Sequence, residues 1–412
     1  MGSAVLAGAQ SNPKRRAARQ SRLVLGFTHP QTCLNLEGRP LALRKAGFQV
    51  MLVSSPGELL EETAQREGVS CMTVPMRRGM APFHDLVSLF RLIVLLRRLR
   101  PDLTEFSTPK AGLLGSLAAC VCRVPVRIYL LRGLKLETSS GWRRWILLLG
   151  ERVAAACSHV VLCNSESLRA EALALPLARD KKLLVLGAGS SNGVNVERFR
   201  PGESDVRQRL NIGEDELVVG FVGRLTRDKG VPELLEAFDR IAAAHHQVRL
   251  LLVGWFDQAE DALAPELRTR IEQNSRIVCT GYVADTAPYY RAMDVMVLPS
   301  WREGFPGVVL EAGASQVPVV TTLSTGARDA VVAEVTGLLI PPGYPKAICE
   351  AVLKLLGNPE LRRRMGLAAR VWVTEHYAKT RVLGLTADLY SRLVAEAAGG
   401  VELLEPASIE NA

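Results

Sequence analysis

Short runs of Val, Leu and Ile alternate with segments of helical periodicity along most of the chain. Strands covered by helices on both faces are continuously apolar rather than alternating, so this pattern predicts parallel sheets inside an α/β fold. In the first half the runs are Arg22–Phe27, Gln49–Val53, Cys71–Val74, Leu103–Phe106, Val126–Leu130 and His159–Cys163. In the second they are Leu217–Val222, Val248–Val253, Arg276–Thr280, Val295–Leu298, Pro318–Thr321 and Gly337–Ile340. Between the sets, Gly187–Asp215 is rich in Gly, Ser, Asn and charge, and it reads as a linker with a hinge near Pro201. The expected organisation is two doubly wound domains, residues 21–196 and 197–385, facing a central cleft. A helix over 386–397 is expected to cross back to the first domain, with a basic tail over 1–20 and a second tail over 398–412.

The length of 412 residues agrees with two cores, since one core rarely grows past about 250–300 residues. No apolar stretch reaches the roughly 18–20 residues that span a bilayer, because Arg91, Arg97 and Arg123 interrupt the best candidates. The cysteines are scattered without C-x-x-C spacing, as expected of small buried apolar residues in a reducing compartment, and no metal-ligand pattern is present.

Charge is distributed unevenly along the chain. Residues 1–200 hold 29 basic and 14 acidic side chains, residues 201–412 hold 22 and 28, so the halves carry +15 and −6. One domain therefore faces something anionic or presents a solvated basic face. Nucleic acid is disfavoured, because zinc-ligand pairs are lacking and the basic residues come without aromatics to stack bases. An anionic membrane surface fits better. Asp85–Arg100 combines a wide apolar face with Arg91, Arg97, Arg98 and Arg100, and Gly141–Leu149 clusters Trp142, Arg143, Arg144 and Trp145 with three leucines. Both resemble interfacial helices, the alternative being core helices with a charged rim.

Two segments carry candidate chemistry. In Leu298-Pro-Ser-Trp-Arg-Glu-Gly-Phe-Pro-Gly-Val-Val-Leu-Glu, a strand gives way to a loop holding Glu303 and then to a helix holding Glu311. Gly307 opens that helix, so free amides can point at anionic oxygens. A carboxylate at Glu311 can accept from two vicinal hydroxyls, as in ribose recognition, while Glu303 can meet what hangs beyond a diphosphate. Alternatively Glu303 is a surface residue and Glu311 a favourable acid near a helix start. In Val219-Gly-Phe-Val-Gly-Arg-Leu-Thr-Arg-Asp-Lys-Gly, a strand ends at Gly223-Arg224 and a helix begins near Pro232. Arg224 and Lys229 flank this corner and suit a diphosphate, or form a solvated charged turn. A Walker A lysine and a G-x-G-x-x-G fingerprint are absent from the sequence, which argues against a P-loop nucleotidase or a dinucleotide oxidoreductase.

These segments, with Gly281-Tyr-Val, Asp294-Val-Met-Val-Leu-Pro-Ser and Thr336-Gly-Leu-Leu, resemble the retaining glycosyltransferases of family 4, which have the GT-B fold of two Rossmann-like domains. The resemblance covers roughly residues 22–395. In the first domain Ser107-Thr-Pro-Lys-Ala-Gly and Gly189-Ser-Ser-Asn-Gly-Val are similar to bacterial enzymes that extend polyprenyl-diphosphate-linked glycans. It implies a nucleotide sugar, most readily a UDP-sugar, in the second domain and a lipid-linked saccharide acceptor in the first. By the same resemblance Arg224 and Lys229 bind the donor diphosphate, Glu311 the ribose and Glu303 the sugar. Gly223 belongs to the same donor turn, and the backbone near Tyr282 and Val283 meets the base. Phe305, Pro306 and Gly307 run along phosphates and sugar. Gln31, Thr32 and Lys110 are acceptor-side candidates, Lys110 for a phosphate or as a helix-surface residue. No cofactor and no metal is implied. With the positive excess of the first half and its two interfacial-type helices, the expectation is a cytoplasmic enzyme held peripherally on the inner face of the cell membrane.

Two departures from the family stand out. Many relatives have His-Gly after the fifth strand, whereas this chain has Leu131-Arg132-Gly133. Arg132 cannot serve as a base at neutral pH but can stabilise developing negative charge, or it pairs with Glu137 or solvent. The first βα loop, Thr28-His-Pro-Gln-Thr-Cys, lacks the paired glycines of many relatives. The family mechanism is front-face displacement, in which the departing diphosphate takes the acceptor proton. A soluble-acceptor enzyme and an inactive nucleotide-sugar-binding scaffold are the competing readings.

Overall fold

In the computed structural model, residues 20–77, 79–257 and 261–399 are described. The tails expected over 1–20 and 398–412 lie outside them, apart from Gln20, Ala398 and Gly399. The first sheet contains β1 Ser21–Gly26, β2 Phe48–Ser54, β3 Ser70–Thr73, β4 Leu103–Ser107, β5 Val126–Leu131, β6 Val160–Cys163 and β7 Leu183–Val185, in the order β3-β2-β1-β4-β5-β6-β7. The second contains β8 Leu217–Val222, β9 Val248–Val253, β10 Ile277–Cys279, β11 Val295–Leu298, β12 Val319–Thr322 and β13 Gly337–Ile340, in the order β10-β9-β8-β11-β12-β13. Every pairing is parallel. The apolar runs thus became the strands, within a residue or two of the expected ends. The exception is β7, an edge strand of three residues between Lys182 and Leu186, too short to show a period.

Helices cover both faces of each sheet, as continuous apolar strands require. In each sheet the order reverses beside the first strand, between β1 and β4 and between β8 and β11. Loops leaving the carboxyl ends of such strands diverge and open a crevice, which is where doubly wound folds bind ligands. Two chain segments join the halves, and they pair with each other: Val194 N–H donates to the Tyr377 carbonyl and Lys379 N–H to the Val194 carbonyl, both at 2.8 Å. The Lys379–Ala398 helix then sets Leu389, Tyr390 and Leu393 into the core of the first sheet.

The helices Pro82–Leu99, Pro109–Val121 and Gly141–Cys157 lie side by side on one face of the first sheet. The outer two bury narrow stripes, Ser88, Leu92 and Leu96 on one and Glu151, Ala154 and Ala155 on the other. Their outward faces are apolar: Phe83 is 87% exposed, Phe90 66%, Trp145 70% and Leu149 64%. A charged rim around a buried helix would leave these aromatic residues inside, so the alternative of plain core helices does not describe them. Among the described residues no helix is long and apolar enough to cross a membrane.

Candidate functional site

The second sheet supplies the polar half of the cleft. β8 ends at Val222, and the φ of +148° at the following Gly223 turns the chain toward Arg224; the next helix begins at Val231. Arg224 Nη1 donates to Asp257 Oδ2 at 2.7 Å, and Asp228 accepts from Thr226 Oγ1 at 2.6 Å and from Arg302 Nη2 at 3.5 Å. Lys229 Nζ donates to Glu303 Oε1 at 2.5 Å. The two segments singled out in the sequence therefore meet through their charged side chains, one from each side of the β8/β11 reversal. Asp257 and Asp228 were not anticipated as partners of these cations. Asp228 sits inside the motif next to Lys229, but Asp257 follows another strand, and nothing in the linear sequence ties it to Arg224.

After β11 the loop reaches Pro306, which caps the Gly307–Ala314 helix, so the first amides of that helix face the crevice. Glu311 lies one turn in. Tyr290 O–H donates to its Oε2 at 2.7 Å, and burial pushes its carboxyl above the usual range, opposed by that hydrogen bond. Phe305 packs its ring on Tyr377, centroids 5.3 Å apart, beside Gly189 of the linker. Tyr282 is 59% exposed and stands edge-on to Trp255 at 5.5 Å, with Val283 half-buried next to it.

The first sheet supplies the opposite wall. Arg132 and Gly133 follow β5 and touch the backbone of Glu303-Gly304, so closely that a Cβ on Gly304 would overlap the Arg132 carbonyl. Gly326 abuts the Gly304 carbonyl in the same way. The expected alternative pairing of Arg132 with Glu137 is not made: Nε and Nη2 of Arg132 are buried without hydrogen-bond partners. Oε1 of Glu137 is likewise buried without a partner, and burial pushes its carboxyl up, opposed by the Thr325 side chain. Ser167 ties the walls together further, since its N–H donates to Asp329 Oδ2 and its hydroxyl accepts from Gly326 N–H, both at 2.8 Å.

Gln31 and Thr32 lie in a short turn, Pro30–Asn35, at the carboxyl end of β1, Gln31 exposed and Thr32 half-buried. Lys110 begins the 109–121 helix, where its ammonium is engaged by Asp85 Oδ1 at 2.6 Å and by the Gly79 carbonyl. Lys110 thereby fastens the start of the 82–99 helix to its neighbour. The close approach at Gly304 and the contacts of Thr325 and Ser167 were not read from sequence, because each depends on two segments that the chain order keeps far apart.

Residues 216–358 match the family described as glycosyl transferases group 1, and residues 41–189 the glycosyl transferase 4-like domain. The chain is 35% identical over 365 residues to the capsular polysaccharide biosynthesis glycosyltransferase CapM of Staphylococcus aureus, covering 88% of this chain and 95% of that protein. Its fold is similar to Anabaena HepE crystallised with UDP-glucose, with a TM-score of 0.73 at 20% identity over 90% of this chain and 99% of that one. It is also similar to the sucrose-phosphate synthase of Thermosynechococcus elongatus, with a TM-score of 0.74 at 22% identity over 91% and 99% of the two chains. The two facing sheets are thus the GT-B fold.

Proposed function

Since this chain belongs to the bacterial glycosyltransferases of family 4, we propose that it moves a hexose or N-acetylhexosamine from a UDP-sugar to a lipid-linked saccharide, with retention of configuration, in capsule or exopolysaccharide synthesis. The observation that carries this reading is the grouping of Arg224, Lys229, Glu303 and Glu311 with the open end of the 307–314 helix at one sheet reversal. Support for the polymer comes from CapM, and support for UDP from HepE, which was crystallised with UDP-glucose.

In this reading the diphosphate lies between Arg224, Lys229 and the amides of Gly307 and Val308. On binding it displaces Asp257 from Arg224, exchanging one charge-assisted hydrogen bond for another. Lys229 holds Glu303 aimed at the sugar, so that the carboxylate accepts hydrogen bonds from the sugar hydroxyls. Glu311, already fixed on one oxygen by Tyr290, offers the other to the ribose hydroxyls. The two cations take up the charge that grows on the leaving oxygen as the glycosidic bond lengthens, and the same oxygen receives the proton of the incoming hydroxyl on the same face. Those cations supply the positive charge locally, so no divalent ion is needed.

Glu311→Ala is expected to weaken UDP binding by at least tenfold, whereas Glu303→Ala should leave UDP affinity within about threefold and lower turnover. Calorimetry with UDP, beside release of UDP from UDP-sugars, separates the two. If Glu311→Ala binds UDP like the parent protein, the ribose assignment is wrong.

The acceptor side of the proposal rests on the outward faces of the 82–99 and 141–157 helices. Phe83, Leu86, Phe90, Trp142, Trp145 and Leu149 are all more than half exposed, and Arg143 stacks on Trp142 at 5.7 Å. Basic side chains near an anionic surface contribute about 1 kcal/mol each, and inserted aromatics add to this. An enzyme seated on the membrane by these helices holds its cleft beside a polyprenyl-linked sugar. Flotation should be stronger with anionic than with neutral vesicles, weaken with salt, and fall severalfold when Arg143, Arg144 and Trp145 are replaced together. Flotation that is equal with both lipids, or absent with both, would favour a water-soluble acceptor.

A further inference from the structure

Opposite the donor cations lies a second positive centre whose counter-charge is incomplete. Arg39 is fully buried; its Nη2 donates to Glu105 Oε2 at 2.5 Å and to the Tyr390 hydroxyl at 3.0 Å, while Tyr390 also binds Glu105. Nε and Nη1 of Arg39 remain without partners. Arg132 stands in the same neighbourhood: burial brings its pKa down to about 10, repulsion from Arg39 adds to the fall, and attraction to Glu105 opposes it. Arg39 thus takes up this carboxylate, which is itself bound by a phenol, and leaves the buried Arg132 donors without a bonded counter-charge.

Buried ions are stable when paired, and buried donors almost always find acceptors. The unpartnered atoms of Arg132 are Nε and Nη2, the two donors along one edge of the guanidinium, which is the fork that takes a carboxylate with two parallel hydrogen bonds. Neutral hydroxyls could accept from that fork but would leave the net charge standing. Its place narrows the source of the anion. The Arg132 backbone lies against Glu303-Gly304, whereas Arg224 and Lys229, the cations suited to a diphosphate, are on the other wall. An anion taken up by Arg132 therefore belongs to the sugar side of the cleft rather than to the diphosphate.

We propose that Arg132 binds the carboxylate of a hexuronic acid in the cleft, and that this enzyme handles an acidic sugar. The proposal rests on the nucleotide-sugar reading above and deepens it by naming the sugar class. Arg39, fully buried and held by Glu105 and Tyr390, is too deep to touch the ligand and acts as a fixed charge near Arg132. The carboxylate belongs either to the donor sugar or to the terminal residue of the acceptor, and these sources can be told apart.

The test is calorimetry with UDP, UDP-glucose and UDP-glucuronate, together with thermal shift by free glucuronate with and without UDP, on the parent protein, Arg132→Gln and Arg132→Lys. UDP-glucuronate is expected to bind at least tenfold tighter than UDP-glucose to the parent. That preference should vanish in Arg132→Gln and shrink in Arg132→Lys, which keeps the charge but loses the fork, with UDP affinity unchanged and so reporting intact folding. If the nucleotide sugars bind alike but free glucuronate stabilises only proteins with Arg132, the site stands and the carboxylate is the acceptor's. A preference absent in both arms, or an Arg132→Gln loss as large for UDP as for UDP-glucuronate, overturns the proposal. Failure of UDP to bind any of the proteins would instead remove the nucleotide reading, while the glucuronate arm still decides the Arg132 site.

Discussion

Replacing Gly304 with alanine should lower turnover by about a hundredfold or more while leaving the melting temperature within a few degrees of the parent. A Cβ at this position would overlap the carbonyl of Arg132 and crowd the Gly133 amide, both backbone atoms of the opposite domain that cannot rotate away. The loop would have to lift from that wall, carrying Glu303 with it. Misplacing reacting groups by about 1 Å costs on the order of 10²-fold in rate. UDP affinity should stay within about threefold, because Arg224, Lys229 and Glu311 all belong to the second domain. Gly384→Ala, on the exposed side of the Lys379–Ala398 helix, is the matched control: no atom lies within 4 Å of the Cβ it would add, so it should be nearly silent. Measured kcat for UDP release decides the matter. Full turnover in the Gly304→Ala variant would mean that catalysis does not use the closed contact between Gly304 and Arg132.

This contact also shows where sequence reading stops. Buried parallel strands declare themselves as apolar runs, so twelve of the thirteen were visible, and the exposed aromatic residues of the 141–157 helix stood out because Trp142 and Trp145 flank two arginines. Motif spacing placed Arg224, Lys229, Glu303 and Glu311 on loops and a helix start at the sheet edge. Which of them would pair was hidden, since the Lys229–Glu303 bond joins residues 74 positions apart. The partners supplied by the other domain were less visible still. Thr325, Ser167 and Asp329 are ordinary polar residues whose role comes from a close approach of two backbones, and glycine at 304 resembles any loop glycine until the opposing carbonyl is seen. Arg39 is the extreme case. An arginine at a helix start is usually solvated, and its full burial against Glu105 and Tyr390 depends on the last helix crossing back over the first sheet.

The Lys229–Glu303 pair is expected to behave as one unit. Lys229→Met alone should lower kcat/KM by about 10²–10³-fold, the range of roughly 3–4 kcal/mol seen when a donor aimed at developing charge is removed. Part of that loss comes through Glu303. Its side chain is only 10% exposed and the ammonium at 2.5 Å is its bonded cation, so without Lys229 the carboxylate loses its anchor and swings to another partner. Glu303→Gln should cost a similar amount by removing the acceptor for the sugar hydroxyls. The double variant should then lose little beyond the worse single change, because residues in one ion pair are coupled and their effects do not add. Arg224→Ala combined with Glu303→Gln should by contrast approach the sum, since Arg224 is held by Asp257 rather than by Glu303. Initial rates of UDP release for the single and double variants test both halves at once. Additive losses for the Lys229 and Glu303 pair would show that Lys229 serves the diphosphate alone and that Glu303 finds its orientation elsewhere.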